Sequence, residues 1–213
     1  MDIVKIWDFW AGKYERLWVQ KYSLSPTREL IISEIGKLLH TYYPENLQLL
    51  DAGCGTGQLI NDIQRTFPKR LFCTGLDQSP KMVEKAVAKH IPQSSFEVGD
   101  CQIMPASTSY DIITCCHSFP YYPDKVRALR EFKRVLKPGG FIYLIQAAEN
   151  NLYDKTIMSI VKLTTIKGTY PSDAWVARAA KEAGLSVQEQ KKLNIRGFMP
   201  SITLTVMTNR EKS

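Results

Sequence analysis

The fold of this chain is decided by Leu49-Leu50-Asp51-Ala52-Gly53-Cys54-Gly55-Thr56-Gly57. An apolar run ends in glycines at alternate positions, which is typical of a strand that turns sharply into a helix. Glycine enters left-handed backbone conformations without steric cost and lets another molecule approach the main chain closely. We therefore expect a strand, a tight turn and a helix, with a compact ligand against the turn.

The spacing of these glycines differs from the dinucleotide fingerprint, which is G-x-G-x-x-G after a strand, with an acid about twenty residues further on. Here the pattern is G-x-G-x-G, and Asp51 stands beside it. A dinucleotide turn places a pyrophosphate at a helix N-terminus, where negative charge is favoured. Because a carboxylate repels phosphate and attracts cations, the pattern favours a nucleoside-like ligand that carries positive charge. A glycine-rich turn without any ligand is the alternative.

The heptapeptide D-A-G-C-G-T-G at residues 51–57 resembles the first motif of the class I S-adenosylmethionine-dependent methyltransferases. In that family the turn accommodates the methionine part of the cofactor, whose ammonium is cationic. The V-L-K-P-G-G pattern at residues 135–140 is also similar to the family, and the resemblance covers roughly residues 14–209. It implies a Rossmann-like α/β fold, with a doubly wound seven-stranded sheet that is mostly parallel, an antiparallel edge strand, and helices on both faces.

Length and composition fit one globular domain, since the chain has 213 residues, 44% of them hydrophobic and 23% charged. We expect a helical lid or cap over residues 1–45, a cofactor-binding core over 46–148, and a substrate-side insertion with a β-hairpin region over 149–213. No apolar run reaches the roughly 18 residues that span a bilayer, and the start lacks the pattern of a secretory signal. We therefore expect a cytoplasmic protein. The five cysteines form no C-x-x-C pair, so neither a disulfide framework nor a metal site is expected.

Acidic residues follow three successive predicted strands, at Asp51, Asp77 and Asp100. The carboxyl ends of parallel strands meet at one edge of the sheet, so Asp77 is expected near the glycine turn. A carboxylate there can accept hydrogen bonds from both hydroxyls of a ribose. Ser79 is the better cap for the helix that follows, which leaves Asp77 available for a ligand. By the resemblance, Asp100 accepts from the amino group of adenine.

The resemblance implies S-adenosyl-L-methionine as cofactor and methyl transfer, by in-line displacement, to an oxygen, nitrogen or carbon atom of a small-molecule or lipid-like acceptor. The residues expected to bind the cofactor are Tyr14, Tyr22, Asp51, Gly53, Cys54, Gly55, Gly57, Asp77, Gln78, Met82, Asp100, Cys101 and Cys116.

The loop after the fourth predicted strand is the expected place of substrate chemistry. His117 is the candidate general base, because the ordinary pKa of histidine lies near neutrality; a hydrogen-bonding or packing role is the alternative. Tyr121, with its neighbour Tyr122, is expected to shape an aromatic pocket for a cationic or planar acceptor. Residues 118–121, S-F-P-Y, loosely resemble the [N/D/S]-x-P-[Y/F] motif of enzymes that methylate base amines or amides. Ser118 stands where those enzymes usually have Asn or Asp, so nucleic acid is an unfavoured partner.

Aromatic residues recur at helical spacing near the N-terminus, at Trp7, Trp10, Tyr14 and Trp18. This stripe predicts one helix that packs on the core, closes as a lid, or offers an amphipathic face to a membrane or an apolar substrate. The net charge is +7, and basic residues cluster between positions 125 and 137. That cluster indicates either a solvated helix face or a surface for an anionic partner such as acidic lipid.

Two other functional classes stay open from the sequence. One is a nicotinamide-dependent oxidoreductase, against which the glycine spacing and Asp51 argue. The other is a non-catalytic protein that binds S-adenosylmethionine as a partner or sensor. The oligomeric state is not indicated by any pattern in the chain.

Overall fold

A computed structural model describes residues 3–12, 14–16, 20–41, 46–105, 109–164, 168–193 and 199–209. The strands within these residues are β1 (Leu47–Ala52), β2 (Leu71–Asp77), β3 (Ser94–Val98), β4 (Tyr110–Cys116), β5 (Leu136–Ala147), β6 (Ser186–Leu193) and β7 (Ile202–Thr208). The α-helices are α1 (Ile3–Trp10), α2 (Ser25–Thr41), α3 (Gln58–Thr66), α4 (Pro80–Val87), α5 (Lys125–Val135), α6 (Leu152–Thr164) and α7 (Asp173–Glu182). None of the described helices is long and apolar enough to cross a membrane.

The strands of the described chain form one seven-stranded sheet in the order β3-β2-β1-β4-β5-β7-β6. Strands β1 to β5 pair in parallel, whereas β7 is antiparallel to both β5 and β6. The predicted seven-stranded, mostly parallel sheet is confirmed. The antiparallel strand β7 lies beside the edge strand β6, and the two form an antiparallel pair at this edge of the sheet.

Helices cover both faces of the sheet, as expected for a doubly wound fold. Successive side chains of a strand point to opposite faces, so Leu49 and Leu50 of β1 belong to different apolar clusters. Leu49 packs with residues of α2 and α3, such as Ile35 and Ile60. Leu50 belongs to the cluster that includes Phe132 of α5. The chain order reverses at β1, which lies between β2 and β4, and this is the point where open parallel sheets bind ligands.

The predicted strand, turn and helix around the glycines are confirmed, as β1, the turn at residues 53–57 and α3. Gly57 has a left-handed backbone (φ 74°) and immediately precedes α3. Ser79 caps α4 as predicted, because its hydroxyl accepts a hydrogen bond from the Met82 amide at 3.2 Å. Both turns therefore form at the carboxyl end of the sheet.

The N-terminal stripe does not form one continuous helix. Helix α1 ends at Trp10, and a separate 3-10 turn follows at Tyr14–Arg16. Gly12 lies between these two elements. Because glycine in a helix interior is about 1 kcal/mol less favourable than alanine, it disfavours continuation of the helix at this point. Trp18 of the predicted stripe lies outside the described residues.

The start of α2 also differs from expectation. The sequence predicts that Ser25 caps this helix ahead of Pro26, but a π-helical turn at Gln20–Leu24 leads directly into it. An N-cap needs a non-helical backbone, and Ser25 instead continues the helical chain. The hydroxyl that contacts the preceding turn belongs to Thr27, which donates to the Leu24 carbonyl at 2.8 Å.

The basic cluster of residues 125–137 is mostly paired within the fold. Arg130 contacts Glu182 at 2.9 Å, and Arg134 contacts Glu131 at 2.8 Å. Lys125 is buried, and its ammonium donates to backbone carbonyls at 3.0 and 3.2 Å. These contacts favour the interpretation of a solvated, internally paired helix face over that of an anion-binding surface.

Candidate active site

A cavity opens at the carboxyl ends of β1, β2 and β4, beneath the N-terminal segment. Its empty volume, including space open to solvent, is about 610 Å³. The described residues that line it are Trp7, Tyr14, Gly53, Gly55, Asp77, Gln78, Met82, Cys101, Cys116, His117, Ser118, Tyr121 and Tyr122.

The glycine turn forms one side of the cavity. The amides of Gly53 and Cys54 donate to the Leu76 carbonyl at 2.7 and 3.1 Å, which joins the turn to β2. Gly55 has a φ of 53°, and a Cβ built on it would meet nothing closer than Tyr14 Cε1 at 4.0 Å. The turn therefore leaves open space next to the Gly55 backbone. A ligand could lie against the main chain there, whereas a side chain at this position would occupy part of that space.

Asp77 connects the glycine turn to the loop after β2. Its Oδ2 accepts from the Gly55 amide at 2.9 Å, and its Oδ1 accepts from the Ser79 amide at 2.9 Å. Burial raises the pKa of this carboxyl, while the two amide hydrogen bonds lower it. The acid is thus held at the cavity wall in a fixed orientation, next to the backbone that the glycines leave open.

Asp51 lies behind the turn and does not line the cavity. Its side chain is buried, and its Oδ1 accepts a hydrogen bond from Thr114 Oγ1 at 2.8 Å. Burial, with a smaller contribution from the neighbouring Asp77, raises the pKa of Asp51 to about 7, although the hydrogen bond from Thr114 acts in the opposite direction. Because the two carboxylates repel each other, a cation bound at the turn would stabilise the ionised form of both.

The structure does not bring every expected cofactor residue to the cavity. Asp100 accepts hydrogen bonds from the backbone amide of Gln102 at 2.8 Å and from its side chain at 3.1 Å, and it does not line the cavity. Its neighbour Cys101 does line it. Cys54 and Gly57 shape the turn without facing the cavity, and the side chain of Tyr22 lies outside the described residues.

His117 lies at the cavity with a left-handed backbone, φ 60°. Its Nε2 is 3.2 Å from Thr27 Oγ1. The Thr27 hydroxyl donates to the Leu24 carbonyl at the shorter distance of 2.8 Å, and this favours the tautomer in which His117 carries its proton on Nε2 and its lone pair on Nδ1. Burial and the charge of Arg28 lower the pKa of His117 to about 4. This argues against the predicted role of general base at neutral pH and favours that of a neutral hydrogen-bonding group.

Four rings form a cluster beside the cavity that we call the aromatic wall: Trp7, Tyr14 and Tyr121 line the cavity, and Tyr170 contacts Tyr121. The Trp7 centroid is 5.0 Å from that of Tyr121 and 6.0 Å from that of Tyr14, with interplanar angles of 84° and 82°. Tyr121 and Tyr170 share a hydrogen bond between their hydroxyls at 2.9 Å. Burial raises the pKa of Tyr14 and of Tyr121, so both phenols are neutral at ordinary pH.

Polar contacts hold the N-terminal segment over the cavity. Asp8 Oδ1 accepts from Ser79 Oγ at 2.6 Å, at the N-terminus of α4, where negative charge is favourable. Glu15 accepts from Thr56 Oγ1 and from Lys89 Nζ, both at 2.7 Å. These contacts support the interpretation of this segment as a lid.

Sequence reasoning did not select Trp7 or Thr27 as site residues. Trp7 was visible only as part of the aromatic stripe, whose inward face the spacing does not identify. Thr27 is separated from His117 by 90 positions, and no pattern in the sequence connects them. Both come to the site through tertiary packing of the first two helices.

Residues 50–144 match a family model described as a methyltransferase domain. Over 105 residues the chain is 37% identical to a demethylmenaquinone methyltransferase of Thermotoga maritima, and this region is 49% of the chain and 45% of that relative. The chain spans less than half the length of the curated relatives that it matches in this comparison.

Solved structures share the fold over nearly the whole chain. A chain from a complex with the Trm112 methyltransferase activator of Haloferax volcanii superposes with a TM-score of 0.78 at 22% identity, covering 96% of this chain and 98% of that one. Magnesium protoporphyrin IX methyltransferase of Synechocystis PCC 6803, solved with bound SAH, superposes with a TM-score of 0.77 at 17% identity, covering 98% and 100%. Residues 50–144, which contain the glycine motif, thus match a methyltransferase domain, and the chain shares its fold with the two solved structures.

Proposed function

We propose that this protein transfers the methyl group of S-adenosyl-L-methionine to a small-molecule or lipid-like acceptor. One observation carries the proposal: a single cavity joins the open backbone at Gly55 and the carboxylate of Asp77 to the aromatic wall. The first two features suit a cationic nucleoside ligand, and the wall suits an organic acceptor. The family match supports the same activity.

The residues at the glycine turn fit the cofactor. Asp77 would accept hydrogen bonds from the ribose hydroxyls, and the backbone at Gly55 would lie against the methionine part. Asp51 would favour the ammonium of that part from behind the turn. Met82 and Cys101 provide buried apolar surface for a base. When bound, the cofactor supplies an electrophilic methyl group on a sulfonium centre.

The protein's own contribution is to position the acceptor and exclude water. Two groups held in line at close range react faster because the entropy of bringing them together has already been lost. The packed rings of Trp7 and Tyr121 restrict how an acceptor can lie in the cavity. The hydrogen bonds of Asp8 and Glu15 hold the covering segment in place. Such positioning needs no general base when the acceptor atom already carries a free lone pair.

The nicotinamide alternative is not supported by the site. A pyrophosphate at this turn would meet the carboxyl of Asp77, with that of Asp51 buried behind the turn, and the described lining contains no lysine or arginine to offset these acids. A lipid-like acceptor is supported by exposed apolar side chains on the N-terminal helix and on α6, where Phe9 is 66% exposed and Leu152 is 80% exposed. The cytoplasmic location expected from the sequence, with transient contact at a membrane surface, remains part of the proposal.

The test is turnover with a methyl-labelled cofactor. The purified protein would be incubated with labelled S-adenosylmethionine and pooled amine, phenol and lipid-amine acceptors. Release of S-adenosylhomocysteine and transfer of the label would be followed by mass spectrometry. We expect acceptor-dependent release of S-adenosylhomocysteine that is lost in Asp77→Ala. Saturable cofactor binding without turnover in any pool would instead indicate the non-catalytic alternative.

A further inference from the structure

We propose that the methyl acceptor is a neutral amine nitrogen and that the aromatic wall holds the ammonium product. This inference rests on the proposed methyl transfer and narrows its substrate class. It follows from the aromatic side chains that line the described cavity and from the absence of lysine and arginine among those residues.

The described lining of the cavity has no cationic side chain that could form an ion pair with an anionic acceptor. It contains no lysine or arginine, and its one acidic side chain is Asp77. The nearby cations are already engaged: Arg28 contacts Asp62 at 2.8 Å, and Lys125 donates to the Pro120 and Tyr122 carbonyls. A carboxylate acceptor would therefore lie in the cavity without a cationic side chain of the described lining to offset its charge, which is unfavourable.

The described lining also has no group suited to remove a proton from the acceptor. His117 uses its Nε2 proton to bond Thr27, and its lowered pKa makes the free Nδ1 a weak base. Both oxygens of Asp77 already accept backbone amides. Burial raises the pKa of Cys116 to about 12 and raises that of Tyr121, so thiol and phenol keep their protons. A phenol, alcohol or carbon acid, which must lose a proton to react well, finds no base here.

A neutral amine satisfies both restrictions. Its nitrogen supplies the electron pair of the new nitrogen–carbon bond, and the electron pair of the broken sulfur–carbon bond stays on sulfur. The positive charge thus passes from the sulfonium to an ammonium, and any N–H proton of that ammonium is lost to water after release. The charge on the cavity contents is the same before and after transfer.

The aromatic wall is suited to that persistent positive charge. Trp7 is nearly perpendicular to both Tyr14 and Tyr121 in T-shaped contacts, and all three rings line the cavity. Aromatic faces attract ammonium groups most strongly where water is excluded. Tyr14 and Tyr121 are both partly buried, and their desolvation, which raises the pKa of each phenol, provides a setting poorer in water than the open surface.

The test is a binding comparison that needs no turnover. The full chain would be loaded with S-adenosylhomocysteine and titrated calorimetrically with three molecules of similar shape: choline, 3,3-dimethylbutan-1-ol and 3,3-dimethylbutanoate. We expect choline to bind at least about threefold more tightly than the neutral alcohol, and the carboxylate to bind most weakly. Equal binding of choline and the alcohol, tighter binding of the carboxylate, or no binding of choline by the loaded protein would overturn the proposal.

Matched variants identify the wall as the source of the preference. Tyr121→Phe keeps the ring and should keep the preference for choline, whereas Tyr121→Leu and Trp7→Leu should reduce it toward that of the alcohol. Affinity for S-adenosylhomocysteine serves as the control for folding in each variant. A wild-type protein that fails to bind S-adenosylhomocysteine would contradict the proposed function itself, whereas a loaded protein without cation preference contradicts only the amine assignment.

Discussion

The backbone amide of Gly55 donates a hydrogen bond to Asp77 Oδ2 at 2.9 Å, so the turn after β1 and the acid after β2 form one structural unit. The other oxygen of Asp77 accepts from the Ser79 amide at the start of α4. One side chain therefore orients two loops at the carboxyl edge of the sheet. Its removal should affect both ligand binding and the stability of the turn.

Asp77→Ala is expected to weaken binding of S-adenosylmethionine by about tenfold or more, because hydrogen bonds to a charged group are worth about 1.5–3 kcal/mol. It should also lower the free energy of unfolding by about 1–3 kcal/mol, since two backbone amides lose their acceptor. Calorimetric titration and urea denaturation measure the two effects. Glu182→Ala, which removes an acid from an exposed ion pair with Arg130, is the control. Unchanged affinity in Asp77→Ala would exclude this acid from the site.

Two glycines of the turn should respond differently to alanine. A Cβ at Gly55 meets nothing within 4.0 Å of the fold except Tyr14 at that distance, so Gly55→Ala should reduce cofactor affinity while costing only about 1 kcal/mol of stability from its positive φ. A Cβ at Gly57 would lie 2.9 Å from Phe96. Gly57→Ala should therefore lower stability more than Gly55→Ala does. Thermal denaturation and cofactor titration of both variants would show this separation, and a reversed order would contradict it.

Asp51 should make folding stability decrease as pH rises toward neutrality. Its folded-state pKa of about 7 lies above its ordinary value of 3.8, so the contribution to stability is fully present below pH 3.8 and is lost as pH rises through 7. Asp51→Asn keeps an acceptor for Thr114 and removes the titration. The unfolding free energy of the wild type minus that of Asp51→Asn should fall between pH 5 and pH 8, by at most about 1.4 kcal/mol per pH unit. His117 titrates in both proteins, so its opposite contribution cancels in this difference. Parallel profiles would show that Asp51 is not perturbed.

Thr27 should fix the tautomer of His117. Thr27→Val removes the acceptor of the Nε2 proton, so nitrogen-15 NMR of labelled histidine should show a mixture of tautomers in place of the Nε2-protonated form. Thr27→Ser keeps the hydroxyl and should restore the wild-type signal. Stability should fall by about 1–3 kcal/mol in Thr27→Val, because a buried donor loses its partner. An unchanged tautomer in Thr27→Val would show that another group sets the proton position.

The sheet and its ligand edge could be predicted because their signals are local. The run from Leu49 to Gly57 specifies a strand, turn and helix by itself, and Ser79-Pro80 marks the next helix start. Buried parallel strands such as β4 are apolar in sequence. Local signals are less reliable at the start of α2. The pair Ser25-Pro26 is typical of an N-cap followed by the first helical residue, but the preceding turn at Gln20–Leu24 is already helical.

The composition of the cavity could not be predicted in the same way, because it depends on tertiary packing. Trp7 reaches Tyr121, which is far along the chain, only when α1 docks on α4 through Asp8 and Ser79. The weak basicity of His117 likewise follows from its burial beside Arg28, and histidine in a loop gives no sign of that environment. The sequence therefore indicates which loops hold the site, whereas tertiary packing determines which side chains line the cavity and how readily His117 accepts a proton.

The most direct measurement of the central claim is a calorimetric titration of the purified chain with S-adenosylmethionine, S-adenosylhomocysteine and NAD in parallel. We predict saturable binding of the first two and none of NAD, since Asp51 and Asp77 favour a cation at the glycine turn and oppose a pyrophosphate. Binding of NAD alone would contradict the assignment of the cavity and would make the protein an oxidoreductase.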